Sequence, residues 1–187
     1  MSTGYQINDQ EGLYYLTFQV VDWVDIFTRQ VYRDLVVESF RYCIENKGLD
    51  LFAFVIMSNH IHLIAQSTNG KLSETVRDFK KFTSKRIIEI ILEIPESRKI
   101  WMLDRFSFNA RQHLRNKTYQ VWTHENHAEH LYSPDFIREK LDYIHNNPVR
   151  AGWVEKPEDY LFSSARYYAG LDCVLPISEI GLPWRTI

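Results

Sequence analysis

Residues 51–64 read Leu-Phe-Ala-Phe-Val-Ile-Met-Ser-Asn-His-Ile-His-Leu-Ile, and they carry the strongest structural signal in this 187-residue chain. The apolar run 51–57 is rich in aromatic and β-branched residues and has the length of one buried strand. Ser58 and Asn59 then interrupt it, and both residue types favour a tight turn or a bulge. The stretch therefore predicts two consecutive strands, over residues 50–58 and 60–66.

Two histidines, His60 and His62, lie at the start of the second of these strands. Alternate side chains of a strand point to the same face, which places the two imidazoles side by side, with Cα atoms roughly 6.6 Å apart at ~3.3 Å per residue. Two such rings can share one metal ion or one phosphate. Strand histidines are also often merely hydrogen-bonded, and the pair taken alone leaves both interpretations open.

The rest of the chain predicts helices and strands around this pair. Helix ends are marked by Lys47-Gly48 and by Pro95, whereas residues 96–117 are irregular and favour a loop or short helices. The other predicted elements are strands over residues 13–21 and 119–124 and helices over residues 28–46, 73–95 and 133–147. This order predicts one α+β domain over residues 1–187, with a mostly antiparallel sheet and helices packed on it.

Bulk composition excludes several classes of protein. Cys43 and Cys173 are the only cysteines, which gives neither a disulfide framework nor a Cys-rich metal site. The apolar runs are far shorter than the roughly 20 residues of a membrane span, so we expect no membrane insertion and a cytoplasmic location. A net charge of −2 argues against a uniformly basic nucleic-acid binder.

Basic charge is nevertheless concentrated between Arg77 and Lys117, where eleven Lys or Arg residues stand against five Asp or Glu. Such a surface suits a polyanion, although a solvated helix face with a basic loop would give the same pattern. We predict DNA contacts from seven of these residues, Arg77, Lys80, Lys81, Lys85, Arg111, Arg115 and Lys117. Four interleaved aromatic residues are candidates for stacking on bases, Trp101, Phe106, Phe108 and Tyr119.

A second polar group lies near the end of the last predicted helix, in Tyr143-Ile-His-Asn-Asn-Pro148. Tyr143 and Asn147 are four residues apart and share one helix face. They offer a phenol and an amide oxygen, and the latter is a ligand that hard cations accept. A tyrosine facing a sheet is commonly core, and an Asn before Pro commonly only ends a helix, so the structural alternative also stays open.

Together the two groups fit the cleavage of a phosphodiester by a tyrosine. The phenol supplies the nucleophile, and a metal held by two neutral imidazoles and an amide neutralises the phosphate. Without a Cys-rich ligand set, Mg²⁺ or Mn²⁺ is favoured over structural zinc, although imidazoles also accept Zn²⁺.

These motifs resemble those of a known family. Residues 55–63 are similar to the His-hydrophobe-His (HUH) motif of Y1 transposases of the IS200/IS605 type. Residues 143–152 resemble the tyrosine motif of their REP-associated relatives, and residues 79–83 and 159–164 resemble the basic helix and the segment after the tyrosine. The resemblance covers about residues 12–170 and implies a ferredoxin- or RRM-like HUH endonuclease fold.

The resemblance implies a metal-dependent single-stranded DNA endonuclease and strand transferase that acts on hairpin-flanked sites, in transposition or in REP-element processing. Tyr143 would form a 5′-phosphotyrosine link, and His60 and His62 would bind Mg²⁺ or Mn²⁺. Asn147 stands where insertion-sequence members usually carry Gln, and its shorter side chain would ligate directly or through a water. The family contains monomers and homodimers, so the oligomeric state stays open.

Two other functions are weighed against this one. A domesticated protein that binds DNA hairpins would keep the fold without turnover, against which the intact His60, His62 and Tyr143 argue. A nucleotide hydrolase of the histidine-triad type would need a third histidine where this chain has Ile64.

Three further histidines, His124, His127 and His130, are spaced by three residues. On a helix this spacing would cluster them at a second metal site, whereas on a strand they would alternate between faces. Because the segment resembles the last strand of the family, we expect DNA contact or surface exposure instead.

Overall fold

The sheet contains four antiparallel strands in the order β2-β3-β1-β4. A computed structural model of the chain describes residues 6–112 and 118–181. The strands are β1 (Tyr14–Gln19), β2 (Leu49–Ile56), β3 (His60–Ser67) and β4 (Glu129–His130). β2 and β3 form the strand pair predicted from residues 51–64, and the predicted α+β class with an antiparallel sheet is confirmed.

The described part of the chain also forms five α-helices. They are α1 (Gln30–Asn46), α2 (Leu72–Glu93), α3 (Lys99–Arg111), α4 (Pro134–Arg150) and α5 (Ala165–Tyr168). The start of α4 agrees with the prediction, because the Ser133 hydroxyl accepts a hydrogen bond from the backbone N–H of Phe136. Within residues 6–112 and 118–181, no helix has the length and apolarity needed to cross a membrane.

The main core lies between the sheet and helices α1 and α2. Period-two alternation in β1 sends Leu16 and Phe18 to this face, where both are fully buried. Phe40 of α1 stacks on Phe79 of α2 with ring centroids 4.2 Å apart, and Phe18 meets Phe79 at 5.6 Å. Each buried ring contributes roughly 1.5–3 kcal/mol relative to exposure, which makes this layer the main source of stability.

The opposite face of the sheet is covered by α4 and carries the histidines. A smaller apolar cluster forms here, in which Ile144 of α4 packs with Val55 and Ile64. In the strand register, His62 of β3 lies between Thr17 of β1 and Val55 of β2. The same face is therefore apolar towards β2 and polar towards β1.

The outer edge of β2 is closed by the segment that follows α4. Phe162 accepts a hydrogen bond from Ile56 N–H at 3.0 Å, and Ser164 N–H donates to Phe54 O at 2.9 Å. These bonds satisfy backbone groups that an open sheet edge would expose to other chains.

The predicted fourth strand over residues 119–124 is not a continuous strand. Val121 O accepts from Val21 N–H just after β1, and Thr123 N–H donates to Gln19 O of β1, at 2.9 Å each. Regular pairing then breaks until β4, apart from one bond from Thr17 N–H to Asn126 O at 2.8 Å. His127, with a φ of 39°, lies within the break. The segment thus follows the predicted edge of the sheet, while an excursion at residues 124–127 divides it.

Residues 99–111 form the helix α3, where the sequence favoured a loop or short helices. Its buried residues Met102, Phe106 and Ala110 recur every four positions, which is a helical spacing. Exposed Ile100, Trp101 and Phe108 obscure this pattern in the sequence. Phe106 is fully buried, so its predicted role as a base-stacking residue is wrong.

The predicted end of the last long helix before Pro148 is also wrong, because α4 continues to Arg150. Proline lacks an N–H and disfavours helical geometry in the residue before it, which is why the sequence predicted that the helix ends there. Here the final turn closes through Ala151 N–H to Asn147 O at 3.0 Å, and Pro148 itself is buried. Packing thus offsets one lost hydrogen bond.

Candidate active site

His60 and His62 lie side by side at the start of β3. Their ring centroids are 4.7 Å apart, with ring planes at 66°. His60 is opposite Gln19 and His62 is opposite Thr17 in the pairing with β1. The strand periodicity therefore produces the shared face that the sequence predicted.

His62 is buried, with 5% of its surface exposed. Its Nδ1 lies 2.8 Å from Tyr15 Oη and 2.9 Å from Thr17 Oγ1, whereas its buried Nε2 has no hydrogen-bond partner among the described residues. Burial, assisted by the charges of neighbouring basic groups, lowers the pKa of His62 to about 3, so the ring is neutral near pH 7. When Nδ1–H donates to the two hydroxyls, the lone pair lies on the unpartnered Nε2.

The tautomer of His60 follows from its contacts with Asn59. The Asn59 Nδ2 donates to Trp23 O at 3.2 Å, which leaves Oδ1 facing His60 Nδ1 at 2.7 Å. Because Oδ1 is an acceptor only, His60 Nδ1 carries the proton and Nε2 carries the lone pair. Burial lowers the pKa of His60 to about 4, so this ring is also neutral near pH 7.

Tyr143 of α4 lies beside the pair, as its proposed role requires. Its ring centroid is 5.4 Å from that of His62 and 6.2 Å from that of Tyr15, both edge-on. The side chain is 43% exposed, so the phenol is accessible to a substrate. The residue is therefore not a core tyrosine, and it reaches the histidines of its own chain.

Arg150 is a basic residue of this site for which the sequence predicted no role. Its guanidinium carbon lies 4.3 Å above the Tyr143 ring, and its Nη2 donates to Tyr143 O at 2.9 Å. Seven residues separate the two on α4, which is two helical turns, so the spacing would have revealed the pairing. The contact places a permanent positive charge next to the phenol.

Asn147 follows Tyr143 by one turn of α4, and its Nδ2 is buried without a hydrogen-bond partner among the described residues. A half-turn of the amide exchanges this donor for Oδ1, an oxygen that a cation satisfies. Direct ligation by Asn147 stays a prediction.

A divalent cation fits the residues present. In the described ranges, no three His, Cys, Asp or Glu side chains cluster as a metal site. The donors that would hold such an ion are the Nε2 lone pairs of His60 and His62, with the amide of Asn147 or a water to complete the set. Neutral imidazoles suit transition metals such as Mn²⁺. The unpartnered Nε2 of His62 is the atom to which such an ion would bind.

The basic side chains predicted to contact DNA divide into two groups. Arg77, Lys81 and Lys85 are exposed on α2, with Arg77 paired to Asp78 and Lys85 to Glu89, and Arg111 is exposed at the end of α3. Two more, Arg115 and Lys117, lie outside the described residues. DNA contact by the exposed members stays a prediction.

Lys80, in contrast to Arg77, Lys81 and Lys85, is not exposed on the surface of α2. Its ammonium contacts Thr123 O at 3.0 Å, Glu125 O at 3.3 Å and the side-chain oxygen of Asn126. Burial lowers the pKa of Lys80 to about 7. These three oxygens belong to residues 123–126, so the Lys80 side chain connects α2 to the segment at the edge of the sheet.

A cleft of about 730 Å³ lies between the exposed basic side chains of α2 and the segment 119–126 at the sheet edge. Arg77 and Lys81 line one wall, and Tyr119 and His124 line the other. This combination of basic and aromatic side chains suits a nucleic-acid strand.

The histidines outside the pair contact other side chains of the fold. His130 stacks on Tyr14 with centroids 5.1 Å apart, and His127 lies 3.8 Å from Glu125. No three-ligand cluster forms around them in the described residues. His145, next to Tyr143 in the chain, bonds through Nε2 to Ser164 Oγ at 2.9 Å and connects α4 to the covered edge of β2.

The sequence profile of the family "Transposase IS200 like" matches residues 13–138 of this chain. The match contains His60 and His62 and ends before Tyr143. The match supports a DNA-processing enzyme. Because the match spans more than half of the 187 residues, the chain belongs to the IS200-like transposase family.

A solved structure described as "Structure of the REP associates tyrosine transposase bound to a REP hairpin" has a similar fold. The TM-score is 0.59 at 18% sequence identity, and the alignment covers 100% of this chain and 99% of that chain. The similarity confirms the fold that the motifs implied. No curated protein matches the chain in sequence.

Proposed function

We propose that this protein is a metal-dependent single-stranded DNA endonuclease and strand transferase in which Tyr143 is the nucleophile. The observation that carries the proposal is the position of Tyr143, whose ring lies 5.4 Å from the ring of His62, a histidine with an unpartnered Nε2. A nucleophile and a pair of ligands for a phosphate-binding cation thus meet on one face of the sheet.

In this proposal, His60 and His62 bind Mg²⁺ or Mn²⁺, with Asn147 as a third ligand directly or through a water. The bound ion neutralises charge on the scissile phosphate. Tyr15 and Thr17 keep the His62 ring in the ligating tautomer, and Asn59 does the same for His60. Arg150 adds a fixed positive charge at the nucleophile, where a phosphate oxygen would accept its N–H groups.

The chemical step is a transesterification. The Tyr143 oxygen bonds to phosphorus and loses its proton to water, and the bond from phosphorus to the 3′-oxygen breaks. The products are a 5′-phosphotyrosine link and a 3′-hydroxyl, which takes up a proton. Strand transfer is the reverse step with a different 3′-hydroxyl, so no external energy source is required.

The proposed substrate is single-stranded DNA next to a hairpin. Family membership and the hairpin bound by the structural neighbour support a DNA substrate. Exposed Arg77, Lys81, Lys85 and Arg111 would contact phosphates, together with Arg115 and Lys117. Such contacts position the strand without reading its sequence.

A panel of hairpin oligonucleotides with single-stranded flanks and Mn²⁺ or Mg²⁺ tests the proposal. The wild-type protein is expected to form a covalent adduct that denaturing gels resolve, whereas Tyr143→Phe should bind the same DNA and form none. An undiminished adduct from Tyr143→Phe would remove Tyr143 as the nucleophile. Binding without cleavage across the panel would favour the domesticated hairpin-binding protein instead.

The histidine-triad alternative loses further support from the structure. Ile64, at the position of its required third histidine, is fully buried and packs in the apolar cluster under α4. A nucleophile at this position could not reach a substrate.

A further inference from the structure

Trp23, which none of the motifs includes, projects beside the histidine pair. Its side chain is 59% exposed, and its ring lies edge-on to His60 with centroids 6.0 Å apart. Large apolar side chains are usually withdrawn from water, and an indole contributes little to stability when most of it is solvated. The exposure of this ring next to a candidate active site leaves most of the indole accessible to a ligand.

The backbone that presents Trp23 is unusual. Asp22 and Trp23 have φ values of 52° and 54°, so two consecutive residues other than glycine adopt the left-handed conformation. This region is unfavourable for residues with a Cβ, and bulky residues such as Trp seldom occupy it. Strained backbone of this kind clusters at ligand-binding and active sites, where surrounding contacts maintain it.

Two asparagine side chains hold this turn from separate elements. Asn59 Nδ2 donates to Trp23 O at 3.2 Å, and Asn109 Nδ2 of α3 donates to Asp22 Oδ2 at 2.8 Å. Asn59 also orients His60, so one side chain connects the Trp23 turn to the candidate metal ligand. The backbone that carries the indole is thus held beside His60 by hydrogen bonds from two other parts of the chain.

We propose that Trp23 is a stacking site for the DNA base adjacent to the phosphate that is cleaved. The inference rests on the proposed function, since it requires a phosphate at His60 and His62. A strand with one phosphate at the histidines carries the neighbouring base within reach of the indole, 6.0 Å from His60. Every base has a π-face, so the site would accept single-stranded DNA of any sequence and would require an unpaired base.

The experiment measures DNA binding separately from cleavage. Tyr143→Phe, which cannot form the covalent link, is titrated in the presence of Mn²⁺ with a hairpin oligonucleotide and with variants that carry one abasic site at each single-stranded position in turn. In this background, Trp23→Leu should weaken binding of the intact oligonucleotide roughly ten- to a hundred-fold, because one base loses its stacking partner. Trp23→Phe should retain most of the affinity.

The abasic variants identify the partner of the ring. At one position next to the cleavage site, removal of the base should cost the parent protein about as much as Trp23→Leu does, and the two changes together should cost no more than either one. Tyr42→Ala is the matched control, since Tyr42 is 55% exposed on α1, on the opposite face of the sheet. It should leave binding unchanged.

Two results would overturn the stacking site while leaving the proposed function intact. One is that Trp23→Leu binds every oligonucleotide as tightly as the parent protein does. The other is an equal loss on the intact and on all abasic oligonucleotides, which would indicate an effect on the fold or on phosphate contacts. Failure of the Tyr143→Phe parent to bind any of the DNAs would instead overturn both proposals.

Discussion

The side chain of Asn59 joins two parts of the site through its two ends. Its oxygen accepts from His60 Nδ1, and its nitrogen donates to the carbonyl of Trp23. Outer partners of ligating histidines set the tautomer and the ring orientation, and removing them costs metal affinity. Substitution distinguishes the effects of these two hydrogen bonds, because an aspartate at position 59 keeps the acceptor for His60 and loses the donor to Trp23.

Asn59→Ala is expected to weaken Mn²⁺ binding roughly ten- to a hundred-fold, because His60 loses the acceptor that keeps its lone pair on Nε2. Asn59→Asp, which still accepts from Nδ1–H, should bind Mn²⁺ at least as tightly as the wild type. Electron paramagnetic resonance of free Mn²⁺ during titration measures both affinities without DNA. Unchanged affinity in Asn59→Ala would show that this contact does not orient the ligand.

His145 makes the folded state sensitive to acid. Burial lowers the pKa of His145 to about 4 in the folded protein, against ~6.5 for an unfolded chain. The folded pKa is the lower one, so the stabilisation is complete above pH 6.5. It is lost as the pH falls from 6.5 towards 4, where the unfolded chain takes up a proton and the folded chain does not.

Between pH 7 and pH 5 this single group should cost the wild type about 2 kcal/mol of unfolding free energy. His145→Gln, which keeps a donor for Ser164, should therefore lose less stability than the wild type over the same interval. Urea unfolding at the two pH values measures the difference. Equal losses in both proteins would assign the acid sensitivity to other groups, of which His60 and His62 act in the same direction.

At the scale of elements, the segment that follows α3 depends on α2 for its position. Residues 119–130 follow β1 with interrupted pairing, and Lys80 donates to three oxygens of this segment, on Thr123, Glu125 and Asn126. Lys81, the next residue, is exposed and lines the cleft. The two adjacent lysines thus have different functions, one structural and one available to DNA.

Lys80→Met is expected to lower the free energy of unfolding by about 1–3 kcal/mol, because Thr123 O and the side-chain oxygen of Asn126 lose this donor at a partly buried site. Lys81→Met should leave stability within about 0.5 kcal/mol of the wild type and instead reduce the salt dependence of DNA binding. Chemical denaturation and binding titrations at several salt concentrations measure the two effects. The assignment would be reversed if Lys81→Met were the destabilised variant.

The elements that the sequence predicts well are those in which local pattern and packing agree. The pair β2–β3 and helix α2 have strong periodicity and clear ends, and their observed bounds differ from the predicted ones by one or two residues. α3 was missed because its buried residues are interspersed with exposed aromatic ones. The excursion at residues 124–127 depends on Lys80, a tertiary contact that local pattern does not encode.

For the candidate site too, local sequence pattern predicts some residues, whereas others depend on contacts between distant parts of the chain. Strand periodicity predicts that His60 and His62 share a face, but only the family resemblance brings Tyr143 to them from 81 residues further along the chain. Trp23 and Asn59 could not be identified, because nothing in Val-Asp-Trp-Val signals a left-handed turn that lacks glycine. The hydrogen bonds of Asn59 and Asn109 that maintain this turn link residues distant in sequence.

At the scale of the whole molecule, each chain supplies every residue of the candidate site. Tyr143 of α4 lies beside His62 of the same chain, and α4 packs on the face of the sheet that carries His62. We therefore expect the site to act in cis, as a monomer or as a homodimer with two independent sites. A site assembled from two chains would instead pair the histidines of one copy with the tyrosine of another.

Mixing two inactive variants distinguishes these arrangements. Tyr143→Phe lacks the nucleophile, and the double variant His60→Ala/His62→Ala lacks the ligands, so neither alone should form a covalent DNA adduct. In a cis arrangement the mixture should stay inactive, with adduct below about 1% of an equal amount of wild type, because no combination of intact folds completes a site. In a trans arrangement, the tyrosine of the double variant would meet the histidines of the other chain. Recovery of adduct on the double variant would show that α4 is exchanged between copies.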